Sequence, residues 1–543
     1  MRPRYAGYPR PMNRSHSTSN DSLWLRRRRH RELDAGGSAG SCGVDELPDR
    51  CDVVVVGGGL AGLLTAWRVR DSGRSVTVIE ARRLAERTTG HSTAKITALH
   101  GAQYSSLAAG KGSDAAAAYA MMQQWAVDEL RSMVRDLAID CDFADAVAYT
   151  CASTPDGIRT VEEEVRAAAA AGLDAYLTHD TELDARFGIQ VSACGLGSQA
   201  MFDPVAFCDG LTRLLRDRGG SIIDGTRVDD VDEDSTGCTV SIGERRLRAD
   251  HVVLATHLPI VDPALLAGRV RPERSYVISG PSTRGTVGGM YLSIDEGWSI
   301  RPAGGGSDDG LVVGGEGHRM TDDVESSDHL ARLSGWAAAN LAMTPEQRWS
   351  AFDYVTTDGV PFIGRLGPRS SRRFVATGFA KWGMTNSMVA ARLITDQIEG
   401  APAHSLFDAS RLRSSVSRDL LLNNAQVVQR FLIDRLRTDP LVVSLPVGEG
   451  QVVRNGLHHV ARATDAEGML HELDAACTHL GCIVQFDRGE QTWSCPCHGS
   501  RFAVDGTLLD GPARQPLRPY VRAAPHAGAT PGGEAQRDPR AAG

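Results

Sequence analysis

Lysine is almost missing from this 543-residue chain: of 59 basic residues only Lys95, Lys111 and Lys381 are lysines. The arginine bias says little about fold, but it makes any lysine inside a motif worth noticing. Long apolar runs are missing too. No stretch of 18 or more apolar residues occurs, so no integral membrane segment is expected, and Leu441 to Val447 is far too short to be one. A net charge of -8 gives no reason to expect nucleic acid or an anionic membrane as a partner. Eleven cysteines are too few, in a chain this long, for a secreted disulfide scaffold. Seven of them, Cys42, Cys51, Cys141, Cys151, Cys194, Cys208 and Cys238, are scattered and read as buried or neutral. A twin-arginine export signal would need an apolar run after Arg26 to Arg29, and His30 to Ser41 supplies none, so a cytoplasmic location is expected.

What is present is length, glycine and two clusters of chemistry. At this length two to four domains are expected, and a hydrophobic fraction of 42% with 58 glycines reads as an α/β enzyme rich in turns. Residues 1–48 are polar and Ser/Gly/Arg-rich and read as a disordered tail, as do 523–543. Asp52 to Val56 is a β-branched run that flows into Gly57-Gly58-Gly59-Leu60-Ala61-Gly62, a helical stretch, and the strand Ser75 to Glu80. Gly57 permits the tight turn, Gly59 lets a pyrophosphate approach, and Gly62 lets helix pack on strand. Glu80 ends the second strand, where a carboxylate accepts from ribose hydroxyls and repels a 2'-phosphate.

The loop Thr88 to Lys95 leads directly into Ile96 to His100, and Asp114 to Ile139 reads as a helix. Asp203-Pro204 is a helix start that should run to about Gly219. Short strands and glycine turns from Val270 to about Asn340 suggest an antiparallel sheet flooring a substrate cavity. A strand at Phe374 to Thr377 then enters the turn Gly378 to Gly383, followed by a helix from Met384 to about Glu399. Two helix N-termini so far apart suggest two electron-rich groups to hold, a pyrophosphate and the N1/C2 carbonyl edge of a flavin, which selects FAD over NAD. Leu412 to Arg437 reads as a connecting helix.

Near the C-terminal end, Cys477-Thr478-His479-Leu480-Gly481-Cys482 is followed by Cys495-Pro496-Cys497-His498-Gly499-Ser500. Cys477 and Cys495 with His479 and His498 make the ligand set of a [2Fe-2S] centre in which two histidines replace two cysteines on one iron. A zinc ribbon is the alternative, although C-x-H with C-x-C-H departs from usual zinc spacing.

The two boxes resemble the Rieske family. That likeness implies Cys477, His479, Cys495 and His498 as metal ligands, a Cys482–Cys497 disulfide, and Ser500 as donor to a bridging sulfide. Phe502 stands where high-potential members carry tyrosine, which implies a lower potential, and Gly511-Pro512-Ala513 resembles the loop covering the cluster. Residues 50 to about 405 resemble the D-amino acid oxidase family of FAD oxidoreductases, on the Gly57 turn with Glu80, the Thr89 to Lys95 loop, and the Asp358 to Gly364 and Ala376 to Thr385 runs. The cofactor contacts this implies are Gly57, Gly59, Gly62, Glu80, Arg82, Ser92, Thr93, Val228, Gly378, Gly383, Met384 and Thr385. The whole of 50 to 520 resembles bacterial fusions of the two modules.

The expected architecture is a Rossmann-type α/β FAD-binding domain (about 49–135, 200–262 and 350–402) with an inserted α+β, mainly antiparallel, substrate domain (about 136–199 and 263–349). A connecting helix (411–440) leads to an all-β Rieske domain (441–522). The expected function is oxidation of an amine, amino acid or similar small molecule, with electrons passing singly from reduced FAD to the cluster and on to a quinone, redox protein or oxygen. The alternative is an electron-transfer or redox-regulatory protein without an organic substrate at its flavin. Lys381, Trp382, Lys95 and His91 are the catalytic candidates. Tyr276, Tyr291, Arg301, His318 and Tyr354 are candidates for the substrate side, where an arginine would bind a carboxylate.

Overall fold

A computed structural model describes residues 21–34, 44–304, 310–322, 325–411, 444–456 and 458–521. The expected connecting helix, except for residue 411, and the C-terminal tail lie outside these.

The β-branched run at the start of the glycine motif becomes the strand Arg50–Val56, whose Val53, Val54 and Val55 are fully buried. Burial on both faces is what a central parallel strand requires. It lies between Val76–Ile79 and Arg245–Leu254, parallel to both. Arg373–Thr377 continues the parallel sheet on one side and Ser221–Ile223 on the other. Phe362–Arg365 closes an edge antiparallel, and a hairpin of Asp230–Asp234 and Gly237–Ile242 extends the sheet to eight strands. Helices Leu60–Asp71 and Gly383–Ile398 pack against each other on it. The helix Pro204–Asp217 begins where expected: the Asp203 side chain accepts the backbone N–H groups of Val205 and Ala206 at 2.9 Å, and proline occupies the first turn.

The second sheet has nine strands, antiparallel except where Met290–Ser293 runs parallel to Ala144–Ala152. It reaches beyond the expected insert, taking in Lys95–Ile96 at one end and Gln347–Thr356 at the other. Gln347–Thr356 pairs with Val270–Gly280 along its length, so pairing rather than the sequence break near 350 decides its membership.

The C-terminal module is two small antiparallel sheets, one of three strands and one of four, around Trp493, Phe502, Leu473 and Val484. It is clamped to the rest of the chain by buried charge. Arg274, on Val270–Gly280, pairs with both Asp487 and Glu490, and Arg501 also pairs with Glu490. Such pairs add little net stability once desolvation is counted, but mispairing them is costly, so they specify one docked arrangement.

The expectation that residues 1–48 form a disordered tail is corrected at Leu23–Asp34, which forms a helix, while residues 1–20 and 35–43 lie outside the described residues. Trp24 has 0% of its surface exposed. Its Nε1–H donates to the Ser92 carbonyl at 2.7 Å, and the Ser22 hydroxyl donates to the Gly90 carbonyl. Three arginines of this segment meet acids distant in sequence: Arg28 pairs with Asp209, Arg31 with Asp203 and Arg27 with Asp142. Ser22 also accepts the Leu25 N–H, a capping signal readable in the sequence.

Candidate functional site

Between the two large sheets lies a cavity of about 640 Å³. Its glycine end is built by backbone. Gly57 has a φ of +110°, and a Cβ there would lie 2.4 Å from the Ala255 carbonyl oxygen. Gly59, Leu60 and Ala61 put the N-terminus of helix Leu60–Asp71 at the cavity wall, where the positive end of the helix dipole favours a phosphate. Gly62 does not line the cavity; a Cβ there would meet the Gly57 carbonyl at 1.9 Å, so its role is close packing. The Glu80 carboxylate accepts from Gly58 N–H at 2.7 Å and Arg82 N–H at 2.9 Å. Each oxygen keeps further acceptor capacity, and Glu80 lines the cavity. Burial raises its pKa against those two backbone donors.

Arg82, Ser92, Thr93, Val228, Gly378, Gly383 and Met384 also line the cavity. Thr385 does not. Its hydroxyl lies 3.2 Å from His100 Nε2 inside the core. The Thr88–Lys95 loop is held from below by Thr89, whose Oγ1 accepts the Leu60 N–H at 3.0 Å.

All four catalytic candidates, His91, Lys95, Lys381 and Trp382, line the same cavity. Lys95 is enclosed and donates to the Tyr291 carbonyl at 2.6 Å and to the Ser299 hydroxyl. Burial, with the Arg301 charge nearby, pulls its pKa down to about 7. Lys381 is paired with Glu273 at 3.1 Å and 44% of its side chain is exposed. Trp382 stacks on His100 at 4.4 Å between ring centres. His91 Nδ1 lies 3.0 Å from the Arg87 carbonyl, and burial lowers its pKa.

Of the substrate-side candidates only Tyr276 reaches this cavity. Arg301 is 1% exposed, lies over the Trp24 ring and donates to the Ala94 and Phe202 carbonyls, so it is a structural residue. His318 stacks on His329, Tyr291 stacks on Tyr149, and Tyr354 faces the C-terminal module. Sequence reasoning missed His100, His257, Asp353, Arg87 and Arg227, which line the cavity. His257 Nε2 lies 3.0 Å from Asp353 Oδ1. The strand ending at Leu254 pointed to that edge, but no pattern picked out its histidine.

In the C-terminal module Cys482 and Cys497 form a disulfide. Cys495 Sγ lies within 4.8 Å of both sulfurs. Cys477 and Cys495 hydrogen-bond each other, which lowers the pKa of the first and raises that of the second. The rings of His479 and His498 stand perpendicular at 4.9 Å. Both Nδ1 atoms are buried and have no hydrogen-bond partner among the described residues. Two adjacent thiols and two converging imidazoles with unused nitrogens fit a Cys2His2 [2Fe-2S] cluster. Burial first of all keeps both imidazoles neutral at ordinary pH, each at about 4. Ser500, fully buried, accepts the Ala513 N–H at 3.2 Å, which ties the Gly511-Pro512-Ala513 loop over the site.

The two sites share a wall. Leu509, Asp510 and Gly511 of the C-terminal module line the large cavity. Arg82 donates to the Leu508 and Leu509 carbonyls at 2.9 and 3.1 Å, and Arg87 pairs with Asp510 at 3.1 Å.

Residues 52–397 match the family of FAD dependent oxidoreductases (DAO), and residues 442–521 match the Rieske [2Fe-2S] domain. The Rieske 2Fe-2S iron-sulfur protein YhfW of Bacillus subtilis (strain 168) is 31% identical over 475 residues, spanning 86% of this chain and 93% of that protein. The cytochrome b6-f complex iron-sulfur subunit of Chlorobaculum tepidum is 33% identical over 100 residues, 17% of this chain and 55% of that subunit. Among solved structures, glycine oxidase from Geobacillus kaustophilus (TM-score 0.57, 18% identity, 67% of this chain, 99% of that one) shares the fold. So does L-proline dehydrogenase from P. horikoshii (TM-score 0.58, 17% identity, 68% of this chain, 100% of that one). Among the described residues no helix is long and apolar enough to cross a membrane.

Proposed function

Because the chain belongs to the DAO family of FAD dependent oxidoreductases and carries a C-terminal Rieske [2Fe-2S] domain, we propose that it is a dehydrogenase of an amine, amino acid or similar small molecule whose electrons leave through the cluster to an external acceptor. FAD and a [2Fe-2S] cluster are its cofactors. When bound, the flavin supplies two-electron hydride chemistry at a C–N bond and the cluster supplies one-electron transfer.

The observation that carries this reading is the shared wall: the module that binds the cluster contributes Asp510 and Gly511 to the cavity that suits the flavin. The substrate class is supported by the cavity's extension along the second sheet, past Ser275, Leu292, Ser299 and Gly315, and by a fold shared with glycine oxidase and proline dehydrogenase. A polar and apolar lining of this kind suits a small molecule better than a bare relay.

Lys95 is the group we assign to proton transfer. Near neutral pH a large fraction of it is uncharged, so Nζ can take the proton from a substrate ammonium and leave the nitrogen lone pair free. Lys381 is instead engaged in its pair with Glu273.

Anaerobic titration with candidate amines and amino acids tests the whole reading. Flavin bleaching should be followed by the reduced-cluster signal; bleaching without any such signal overturns internal transfer. A base that acts when deprotonated makes flavin reduction rise with pH through about 7. Lys95→Met should remove that limb and slow reduction by about 10²- to 10⁴-fold.

A further inference from the structure

The cluster-bearing loop Cys495 to Ser500 is buried, covered on one side by its own module's Gly511–Ala513 loop and on the other by the flavin module. Tyr354, on the strand Gln347–Thr356, donates its phenol hydroxyl to the His498 carbonyl at 2.8 Å. Gly499, at φ +73°, lies so close that a Cβ there would be 3.5 Å from that hydroxyl and 3.3 Å from Pro272 Cβ. Tyr354 is 4% exposed, and burial raises its pKa far enough that it stays a protonated donor throughout the working pH range. Its other side meets His257 edge to face at 4.6 Å. His257 lines the flavin cavity, and its Nδ1 lies 3.3 Å from Thr88 Oγ1 at the start of the Thr88–Lys95 loop. Two residues of the flavin module, His257 and Tyr354, thus lie between the cavity and the backbone of a ligand histidine. Inside the C-terminal module, Phe502 offers no hydroxyl at all.

We propose that Tyr354 is a positioning residue for the cluster: a side chain of the flavin module that holds the His498 loop in place and raises the cluster's reduction potential. The sign follows from electrostatics. A hydrogen bond to the His498 carbonyl draws electron density away from a dipole beside the cluster and so favours the reduced, more negative state; hydrogen bonding and burial around a cluster are what set its potential. Docking of the two modules therefore tunes the metal centre as well as placing it. The potential does not depend on where electrons come from. Only the kinetic corollary, slower arrival of flavin electrons at the cluster, rests on the function proposed above.

The test is a mediated redox titration of the holoprotein, followed by cluster circular dichroism and paramagnetic resonance, for wild type, Tyr354→Phe and Ser350→Ala. Ser350 donates to Glu490 in the same interface but away from the cluster loop, so it reports general loosening. Tyr354→Phe should lower the midpoint by the equivalent of about a tenfold shift in electron sharing, about 59 mV for one electron, with FAD and iron content unchanged; Ser350→Ala should leave it in place. Equal shifts in both variants, or none in Tyr354→Phe, would overturn the proposal. Loss of iron from Tyr354→Phe with FAD retained would also overturn it, since the contact would then be needed for assembly rather than for tuning. A lowered midpoint with no flavin-to-cluster transfer in either protein would leave the tuning intact and overturn only the functional reading.

Discussion

The two loops that carry the cluster ligands are near twins in composition and opposites in setting. Each offers one thiol, one imidazole and one half of the disulfide. Yet Cys495 to Ser500 is buried beneath the flavin module, while the other loop presents Leu480 with 60% of its surface exposed beside a partly exposed His479. An isolated cluster domain would have no reason for this asymmetry. It gives the iron site an inner histidine toward the flavin cavity and an outer one toward whatever lies beyond.

The strongest way to break this contrast is to undock the inner loop. Arg274→Met would leave Asp487 and Glu490 with a buried charge that Arg501 only partly offsets, and a loss of about 3–5 kcal/mol is expected in denaturant unfolding followed at the cluster absorbance. Next comes the tie between the loops. With a sequence separation of 15, replacing Cys482 and Cys497 by serine should cost about 3 kcal/mol and let the cluster bleach before the flavin is released on heating. Smallest is the outer face. Leu480→Gln should change stability by less than about 0.5 kcal/mol and leave the cluster midpoint unmoved. If the acceptor proposed above is a protein docking at this face, the change should slow reoxidation by it several-fold, about 1 kcal/mol in stopped-flow traces. An outer-loop change that instead shifted the midpoint as Tyr354→Phe does would erase the distinction between the faces.

The cluster was legible because its expected ligands fall within two short loops, whose spacing departs from that of a zinc ribbon and resembles the Rieske family. The glycine turn at Gly57 and the helix after Asp203 were legible for the same local reason. What stayed hidden depends on partners far away in sequence. Arg28 looks like part of a solvated basic run until Asp209, 181 positions later, neutralises it. Arg301 has the chemistry to grip a carboxylate, yet the fold places it over Trp24. Tyr354 and Asp510 matter only because the two modules meet, which no periodicity within either module encodes.

The N-terminal helix also has a consequence in time. Ser22 and Trp24 grip the carbonyls of Gly90 and Ser92, in the loop beside the flavin cavity, but of the two cations over Trp24 only Arg27 belongs to the helix and the nearer is the distant Arg301. During synthesis at roughly 5–20 residues per second, that arginine emerges tens of seconds after the tryptophan. For that interval the helix has no complete seat, and the loop it will fasten stays open. The order of translation thereby makes the strap a late element of folding, and the cavity it borders is completed later still, when residues 376–384 and 509–511 emerge.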